Sequence, residues 1–495
     1  MKKGVCVFLA AILLLGVVGC TTSKQEKSTS NMASQTSNHV TSQIASRTES
    51  GGEQILSSKP ASNTESAQQI QGNTSHSASK AESKQSISSD RGASQTASKG
   101  GQTMSADFAF DGAISQQVLK NYLSRSITYS FFDASIAGVD ADIEAMVDMG
   151  AKYIARSTIV WITGGFELSR AANYKRQIEK AHRLDPDIVF EACLFETTAK
   201  SVEEIPIPEH VFRAFGLKPE KRNFSYEKML YPDGRYVNHW GTNQSVPDIT
   251  QLETQMFQYW HATFYIDAGF EGLHWGQVHL MGERDTNFAA WTKVINLTRA
   301  YAKTHARRKF VLNDAHTHGI IGADGLLLFD FHAWPTRMIT PAGASPHPAT
   351  EENPQEIVIK QGALDAIYGK SLGGTTHSGW SCKSLPYVVE LDNYGGIQSS
   401  STVNVPGINY WPWGFDEISW FANQPQQYRK SFIEFAYKRV RALDENGFFG
   451  MVGSRPATYY YISSNTTASN WYYALASDDT ATIKEVWSKY AAKIG

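Results

Sequence analysis

Residues 387–396 read YVVELDNYGG, the pattern of a buried strand that ends in charged residues. Tyr387, Val388 and Val389 predict a short buried strand, which the glycine pair at 395–396 ends in a loop. Glu390 and Asp392 follow the apolar residues, and because residues two apart in a strand share a side, their carboxylates project together. Two carboxylates at the end of a buried strand cost free energy unless they are hydrogen-bonded, paired with a cation, or used in the protein's function. The alternative is a solvated carboxylate beside an Asp that caps a turn.

Seven further stretches also have the composition of buried strands, and most alternate with helical patterns. The predicted strands are 127–132, 151–161, 187–195, 270–278, 310–313, 326–331, 387–390 and 448–452. The predicted helices are 140–149, 168–183, 251–268, 285–307, 355–368, 415–445 and 480–493. This pattern indicates a parallel α/β sheet covered by helices. Eight units favour a closed (β/α)8 TIM barrel with long loops on its catalytic face, among them residues 201–250. No GxGxxG follows any strand, which argues against a dinucleotide-binding sheet.

The N-terminal segment predicts where the protein is located. Lys2 and Lys3 precede an apolar run at 5–18, and small residues at 16–19 precede Cys20. This segment resembles a bacterial lipoprotein signal with its lipobox, because the apolar run is short for a membrane span. The resemblance implies cleavage before Cys20, lipid on its thiol, and attachment to the bacterial cell surface. The membrane is therefore expected as a partner through the lipid anchor alone.

Composition divides the rest of the chain in two. Residues 21–105 are rich in Ser, Thr and Gln and poor in aromatic residues, which predicts a disordered tether. Residues 106–495 hold nearly all of the aromatic residues and form the predicted barrel domain. Lys and Arg number 46 against 48 Asp and Glu, so nucleic acid is not an expected partner, and we expect a monomer. Cys193 and Cys382 are expected as free thiols, with one disulfide as the alternative.

Charged and polar side chains follow several predicted strands, and on a barrel they would converge on one mouth. This arrangement resembles the (β/α)8 glycoside hydrolases, in which a carboxylate near the end of strand seven often serves as nucleophile. The resemblance assigns that role to Glu390, with Asp392 orienting it or a sugar hydroxyl. Glu196 is the candidate acid, because apolar neighbours favour its neutral form, and Glu283 is the alternative. The expected acid/base Glu after strand four is absent, since LHWGQVH stands there.

Aromatic and polar residues near the strand ends suit a carbohydrate substrate, since sugar rings pack on aromatic faces and hydroxyls bond to polar groups. The candidate substrate-binding residues are His274, Trp275, Gln277, His279, Asp314, His316, Asp330, His332, Trp334, Trp411 and Trp413. The predicted function is therefore hydrolysis of glycosidic bonds by two carboxylates, with no cofactor and no metal. Loop tryptophans that merely pin their loops are the competing explanation.

Two other functions remain open. The sequence DAHTH at 314–318 resembles the HxH element of amidohydrolases, which would make the His/Asp cluster a divalent-metal site. That family carries HxH on its first strand, whereas here it follows about the fifth. The third possibility is a carbohydrate-binding lipoprotein without catalysis, which the missing acid/base motif keeps open.

Overall fold

Parallel strands organise the part of the chain that the structure describes. The computed structural model describes residues 104–130, 139–161, 163–335, 370–391, 421, 426–453 and 477–491, all within the unit Ser94–Gly495. The strands are β1 (Ser126–Thr128), β2 (Tyr153–Thr158), β3 (Val189–Cys193), β4 (Thr198–Ala199), β5 (Gln244–Ser245), β6 (Gly272–His274), β7 (Leu312–Asp314), β8 (His332–Pro335), β9 (Gly374–Thr375), β10 (Ser381–Cys382), β11 (Tyr387–Glu390), β12 (Gly447–Phe449) and β13 (Met451–Val452). Their order alternates with helices, as expected for parallel strands that need crossover connections.

The helices follow the strands along the chain. They are α1 (Gln116–Ser124), α2 (Val139–Met149), α3 (Gly165–Leu168), α4 (Ala171–Leu184), α5 (Glu209–Ala214), α6 (Leu252–Ala268), α7 (Val278–Met281), α8 (Ala289–His305), α9 (Gln426–Leu443) and α10 (Ser477–Tyr490). The Ser115 hydroxyl caps α1 by accepting from the Val118 amide at 3.2 Å. Gly269 ends α6 in the left-handed region at φ 101°, which glycine adopts without strain.

Two parallel sheets form the centre of this mixed α/β fold. The first has six strands in the order β13-β1-β2-β3-β6-β7, and the second has three in the order β12-β11-β8. All neighbouring pairs in both sheets are parallel. A parallel bridge between His316 and Ala333 lies between the last strands of the two sheets, and Gly450 alone separates β12 from β13.

Three clusters of buried side chains hold these layers together. The first lies between strands and helices and includes Ile154, Phe190 and Trp291. The second joins residues such as Tyr153 and Val388 to α1. Neighbouring helices also contact each other, with α4 packed against α2 and α6, and α6 packed against α8. The strands are therefore buried on both sides, which explains their apolar composition.

Residues 201–250 differ from the long loop that the sequence predicts. They contain a 3-10 helix at Lys200–Glu204, the helix α5, a 3-10 turn at Glu227–Met229, and the strand β5, which pairs with β4. Apolar side chains of this segment, among them Val202 and Phe224, pack on α6 in the third buried cluster. Because α6 is covered on this side as well, most of its residues are buried.

The strand predicted over 326–331 is wrong. β8 begins at His332, and the preceding apolar residues are buried without being a strand. Their amides bond elsewhere, since Leu327 donates to the Thr375 carbonyl of β9 and Leu328 to the Ile320 carbonyl, neither of which belongs to the two parallel sheets. High apolarity therefore predicted burial correctly but not ladder pairing, which short apolar runs do not specify alone.

Several predictions fall on residues outside the described ranges. They are the lipoprotein signal with Cys20, the tether over nearly all of 21–105, the helix at 355–368, most of the helix start at 415–425, and the residues Asp392, Trp411 and Trp413. Among the described residues, no helix is both long and apolar enough to cross a membrane. Cys193 is buried and Cys382 half-buried, and both are free thiols.

Candidate active site

Glu390 is the last residue of β11 and is buried at the carboxyl end of that strand. Its two carboxylate oxygens have different partners. Oε2 accepts from the Thr128 hydroxyl at 3.0 Å, at the end of β1. Oε1 accepts from Arg156 Nε at 3.1 Å and forms an ion pair with Nη2 of the same guanidinium. A buried carboxylate with a charged partner and hydrogen bonds on both oxygens stays ionised and keeps one orientation.

Arg156 reaches Glu390 because β2 is irregular at this point. The pairing of β2 with β3 shifts register between Ile154 and Thr158, and Arg156 has φ 55°, a conformation that bulky residues rarely adopt. Its amide donates to Glu191 Oε2 at 2.9 Å instead of to the neighbouring strand's backbone. Backbone strain of this kind costs about 1–3 kcal/mol and persists where the surroundings over-determine it. The bulge therefore serves to aim the guanidinium at Glu390.

Glu191 and Asp314 form a second carboxylate pair beside Arg156. Glu191 Oε1 accepts from the Tyr153 hydroxyl at 2.7 Å, and Asp314 Oδ2 accepts from His274 Nδ1 at 2.8 Å. Burial, together with the nearby charge of Asp314, raises the pKa of Glu191 to about 8. Burial also raises the pKa of Asp314 to about 7. The two carboxyl groups therefore hold a proton between them near neutral pH, because two adjacent buried carboxylates do not ionise together.

His274 and His316 complete the cluster that Glu390, Arg156, Glu191 and Asp314 form, and His274 is neutral. Burial, with Arg156 and His316 nearby, lowers the pKa of His274 well below its usual range. Arg156 Nη2 donates to His316 Nε2 at 3.0 Å, so that nitrogen carries no proton. The same Nε2 lies 3.9 Å from Glu390 Oε1, and His316 is only partly buried. His316 is thus the member of the cluster that meets solvent.

Glu196 lies beyond the end of β3 and is held by the residues that follow β6. Its Oε1 accepts from the Gln277 side chain at 2.7 Å and its Oε2 from the Gln277 amide at 2.9 Å. Gly276, at φ 68°, leaves room for this contact, since a Cβ there would meet Glu196 Oε2 at 2.2 Å. The Gly276 carbonyl accepts from the His316 amide at 3.0 Å. Gln277 thus binds Glu196, while the preceding Gly276 binds the backbone of His316, whose ring lies beside Glu390.

Other predicted residues lie elsewhere. Trp275 and Trp334 are buried in the first cluster, where Trp275 donates to Asn313 and Trp334 stacks on Tyr387 with ring centroids 4.2 Å apart. Such rings stabilise the core and present little surface to a sugar. His279 is exposed on α7 and contacts the Thr317 hydroxyl at 2.9 Å.

His332 lies at the opposite end of its strand from Glu390, and Asp330 precedes that strand. His332 is the first residue of β8 and pairs with Tyr387, the first residue of β11, whereas Glu390 is the last. Asp330 is bound by Arg299 at 3.2 Å and by the Asn313 amide at 2.9 Å. Both were assigned to a strand end because the strand was predicted too early.

Glu283 is an exposed carboxylate. Its Oε2 accepts from Arg235 at 2.8 Å, and its Oε1 accepts from the Tyr236 hydroxyl. Both oxygens have partners on the loop after β4, so Glu283 ties that loop to the segment after α7. Such exposed ion pairs contribute little to stability.

Three residues of the cluster were not among the sequence candidates: Arg156, Glu191 and Thr128. Two carried a usable signal, because Arg156 and Glu191 are charged residues inside otherwise apolar strands, where an unpaired charge is costly. Thr128 carried none, since a threonine at a strand end is common.

One group of side chains could also hold a divalent cation. The ligand atoms of Glu191, His274 and Asp314 lie within 4.8 Å of one another, and all three residues are buried. His274 Nε2 and Asp314 Oδ1 have no hydrogen-bond partner among the described residues. Imidazole with two carboxylates is a donor set that suits zinc or another divalent transition metal.

Comparisons with known proteins do not assign a family. No protein-family model matches the sequence, and no curated protein matches it. A solved structure of a GH27 β-L-arabinopyranosidase from Geobacillus stearothermophilus, in complex with arabinose, aligns with a TM-score of 0.27 and 10% identity. The aligned part is 45% of this chain and spans 56% of that enzyme's chain. A likeness of this size supports neither a family assignment nor a role for any residue.

Proposed function

We propose that this chain hydrolyses glycosidic bonds with two carboxyl groups at the strand ends, Glu390 as nucleophile or base and Glu196 as acid. The observation that carries the proposal is the setting of Glu390, which Arg156 and Thr128 hold charged and oriented where a parallel strand ends. A group that attacks a sugar carbon or activates water must be ionised before it reacts, and this setting ensures it. Glu196 is joined to the same cluster through Gly276 and His316.

The proposed reaction needs an acid that protonates the leaving oxygen. Glu196 is the first candidate, and the Glu191–Asp314 pair, which retains a proton near neutral pH, is the second. The two candidates separate kinetically when Glu196→Gln and Glu191→Gln are assayed on a natural glycoside and on an activated aryl glycoside. The acid's variant should lose most of its rate on the natural substrate and much less on the aryl substrate, whose leaving group needs little protonation. Equal losses on both substrates in both variants would leave neither residue as the acid.

We also propose that the two parallel sheets belong to one (β/α)8 barrel. The bridge from His316 to Ala333 supports closure on one side. On the other side, residues 447–452 pair with β11 through their first part and with β1 through their second. Closure would bring all the strand ends to a single mouth. An experimental structure in which β7 and β8 are separated would contradict this architecture.

A lipid-anchored location at the bacterial surface completes the proposal. The basic residues, the short apolar run and Cys20 support it. The Ser/Thr-rich stretch that follows would then act as a tether that lets the folded unit reach glycans of the wall or the medium.

A metal-dependent hydrolase is the second candidate function. The specific observation in its favour is the buried set of Glu191, His274 and Asp314, with one unpartnered nitrogen and one unpartnered oxygen. These residues would hold the cation, which would supply Lewis-acid activation of a substrate or water. Against it, the guanidinium of Arg156 bonds to Glu390 beside this set and repels a cation. Activity that chelation abolishes and zinc restores would favour this candidate over the first.

A further inference from the structure

A cluster of partly exposed aromatic rings lies next to Glu196. Trp161, three residues beyond β2, packs against Phe195 with ring centroids 5.2 Å apart. Trp240 meets Trp161 edge-on at 5.1 Å, and His239 meets Trp240 edge-on at 4.4 Å. None of the four rings is fully buried. We refer to Trp161, Phe195, His239 and Trp240 as the aromatic cluster.

The aromatic cluster is attached to the candidate acid itself. Trp240 Nε1 donates to the Glu196 carbonyl at 3.1 Å, and Phe195 is the residue before Glu196. A ligand lying on these rings would therefore lie next to the backbone of Glu196, whose carboxyl group Gln277 holds.

The loop that carries Trp240 is held in an unusual backbone conformation. Tyr236, Asn238 and Asn243 have φ of 60°, 59° and 59°. Side chains brace these positions, since the Asn238 amide donates to the Ser245 hydroxyl at 2.8 Å and the Asn243 amide to the Asn238 side chain at 2.7 Å. Left-handed conformations at non-glycine residues are often found at ligand clamps. The loop is thus built to hold its aromatic side chains in fixed places.

The charges around the aromatic cluster select against an anionic ligand. The carboxylates of Glu196, Glu283 and Asp233 lie on or beside the loop, and Arg235 is bound to two of them. This arginine is already used, so no free cation of the loop is left to pair with an acidic sugar. Aromatic faces with acceptor groups at their edge suit the C–H faces and hydroxyls of a neutral sugar.

We propose that the aromatic cluster is a binding subsite for a neutral sugar unit of a glycan chain, adjacent to the unit that Glu196 contacts. The assignment rests on the proposed glycoside hydrolase function, because it is that function which places a sugar at Glu196. Trp161 provides the main stacking surface, and Trp240 fixes its position relative to Glu196.

The test is gel retardation of the full chain by soluble polysaccharides. The probes are the neutral β-glucan, galactomannan and xylan, with the anionic polygalacturonate for comparison. The wild type should be retarded by at least one neutral probe and not by polygalacturonate. Trp161→Ala and Trp161→Leu should bind that probe about tenfold more weakly, the loss of roughly one aromatic contact, whereas Trp161→Tyr should retain most of the binding. Trp161→Leu preserves apolar packing, which keeps the test valid if the alanine variant unfolds.

Trp380 provides the matched control. It is a partly buried tryptophan of the second cluster whose Nε1 donates to the Ile114 carbonyl at 2.9 Å, so Trp380→Ala should leave binding unchanged. No retardation of the wild type, unchanged binding by both Trp161→Ala and Trp161→Leu, or Trp161-dependent binding of polygalacturonate would overturn the subsite. If binding depends on Trp161 but no glycan is cleaved, the subsite stands and the hydrolase function fails. If glycans are cleaved with the same KM by wild type and Trp161→Leu, the function stands and the subsite fails.

Discussion

Replacing Arg156 by methionine tests whether the ion pair with Glu390 organises the strand ends. Arg156 and Glu390 are both almost fully buried, with 3% and 2% of their side chains exposed. Removing the guanidinium leaves the Glu390 carboxylate buried without its charged partner, while the Thr128 hydroxyl still donates to its Oε2. Breaking a buried ion pair in this way costs about 3–5 kcal/mol. We therefore expect Arg156→Met to lower the free energy of unfolding by about that amount.

Two companion variants isolate the ion pair. The double variant Arg156→Met/Glu390→Gln removes both members of the ion pair, so it should recover most of the loss, ending within about 1–2 kcal/mol of the wild type. Arg213→Met removes an arginine whose ion pair with Glu209 is 67% and 73% exposed, and it should change the stability little.

The assay is urea unfolding of the purified protein, followed by tryptophan fluorescence. The loss in Arg156→Met should be smaller near pH 5 than near pH 8, because a carboxyl group without its partner is neutralised by a proton at low pH. A loss below about 1 kcal/mol, or a double variant as unstable as the sum of the single variants, would refute the pairing as the organising contact.

Three further predictions concern the neighbouring groups and the N-terminus. Glu191→Gln should gain stability relative to the wild type as the pH rises from about 4 to 8. The reason is that the raised pKa of Glu191 makes its carboxyl group stabilising in the folded protein when it is protonated, and this contribution is lost as the pH rises through that range. A difference in thermal melting that does not change with pH would contradict the pKa shift. Gly276→Ala should reduce glycosidase activity more than Gly325→Ala. Both glycines have positive φ, but only at Gly276 would the added Cβ meet the Glu196 side chain. Equal activity in the two variants would show that Glu196 does not take part in the reaction. Cys20→Ala should release the protein from the membrane fraction or block its processing, and unchanged retention after normal processing would disprove the lipid anchor.

The strand ends were partly predictable from the sequence. The predicted strand at 387–390 matches β11, and Glu390 lies at its end as expected, because three apolar positions followed by a charge mark both the strand and its limit. The helices at 140–149 and 251–268 were also predicted within one residue of α2 and α6. Local periodicity is sufficient for such long, regular segments.

The partners within the cluster were not predictable. Arg156 and Glu390 are 234 residues apart in sequence, and their contact depends on a bulge that no local pattern announces. The charge of Glu191 inside an apolar strand indicated a buried partner, but which residue that partner is depends on the neighbouring strands. The burial of Trp275 and Trp334 was not predictable either, because an aromatic residue near a strand end can pack in the core as readily as it can line a binding site.

We propose that Glu390 is the nucleophile or base of the reaction. The most direct measurement is release of reducing ends from a cleavable glycan by wild type and Glu390→Gln, with and without a chelator, after circular dichroism has shown that the variant is folded. Glutamine keeps the size and hydrogen bonding of the side chain but removes its charge. We expect that Glu390→Gln loses turnover by about a thousandfold or more, that it still binds the glycan, and that chelation leaves the wild type unchanged. Full turnover by Glu390→Gln, or loss of wild-type activity on chelation with recovery on adding zinc, would contradict it.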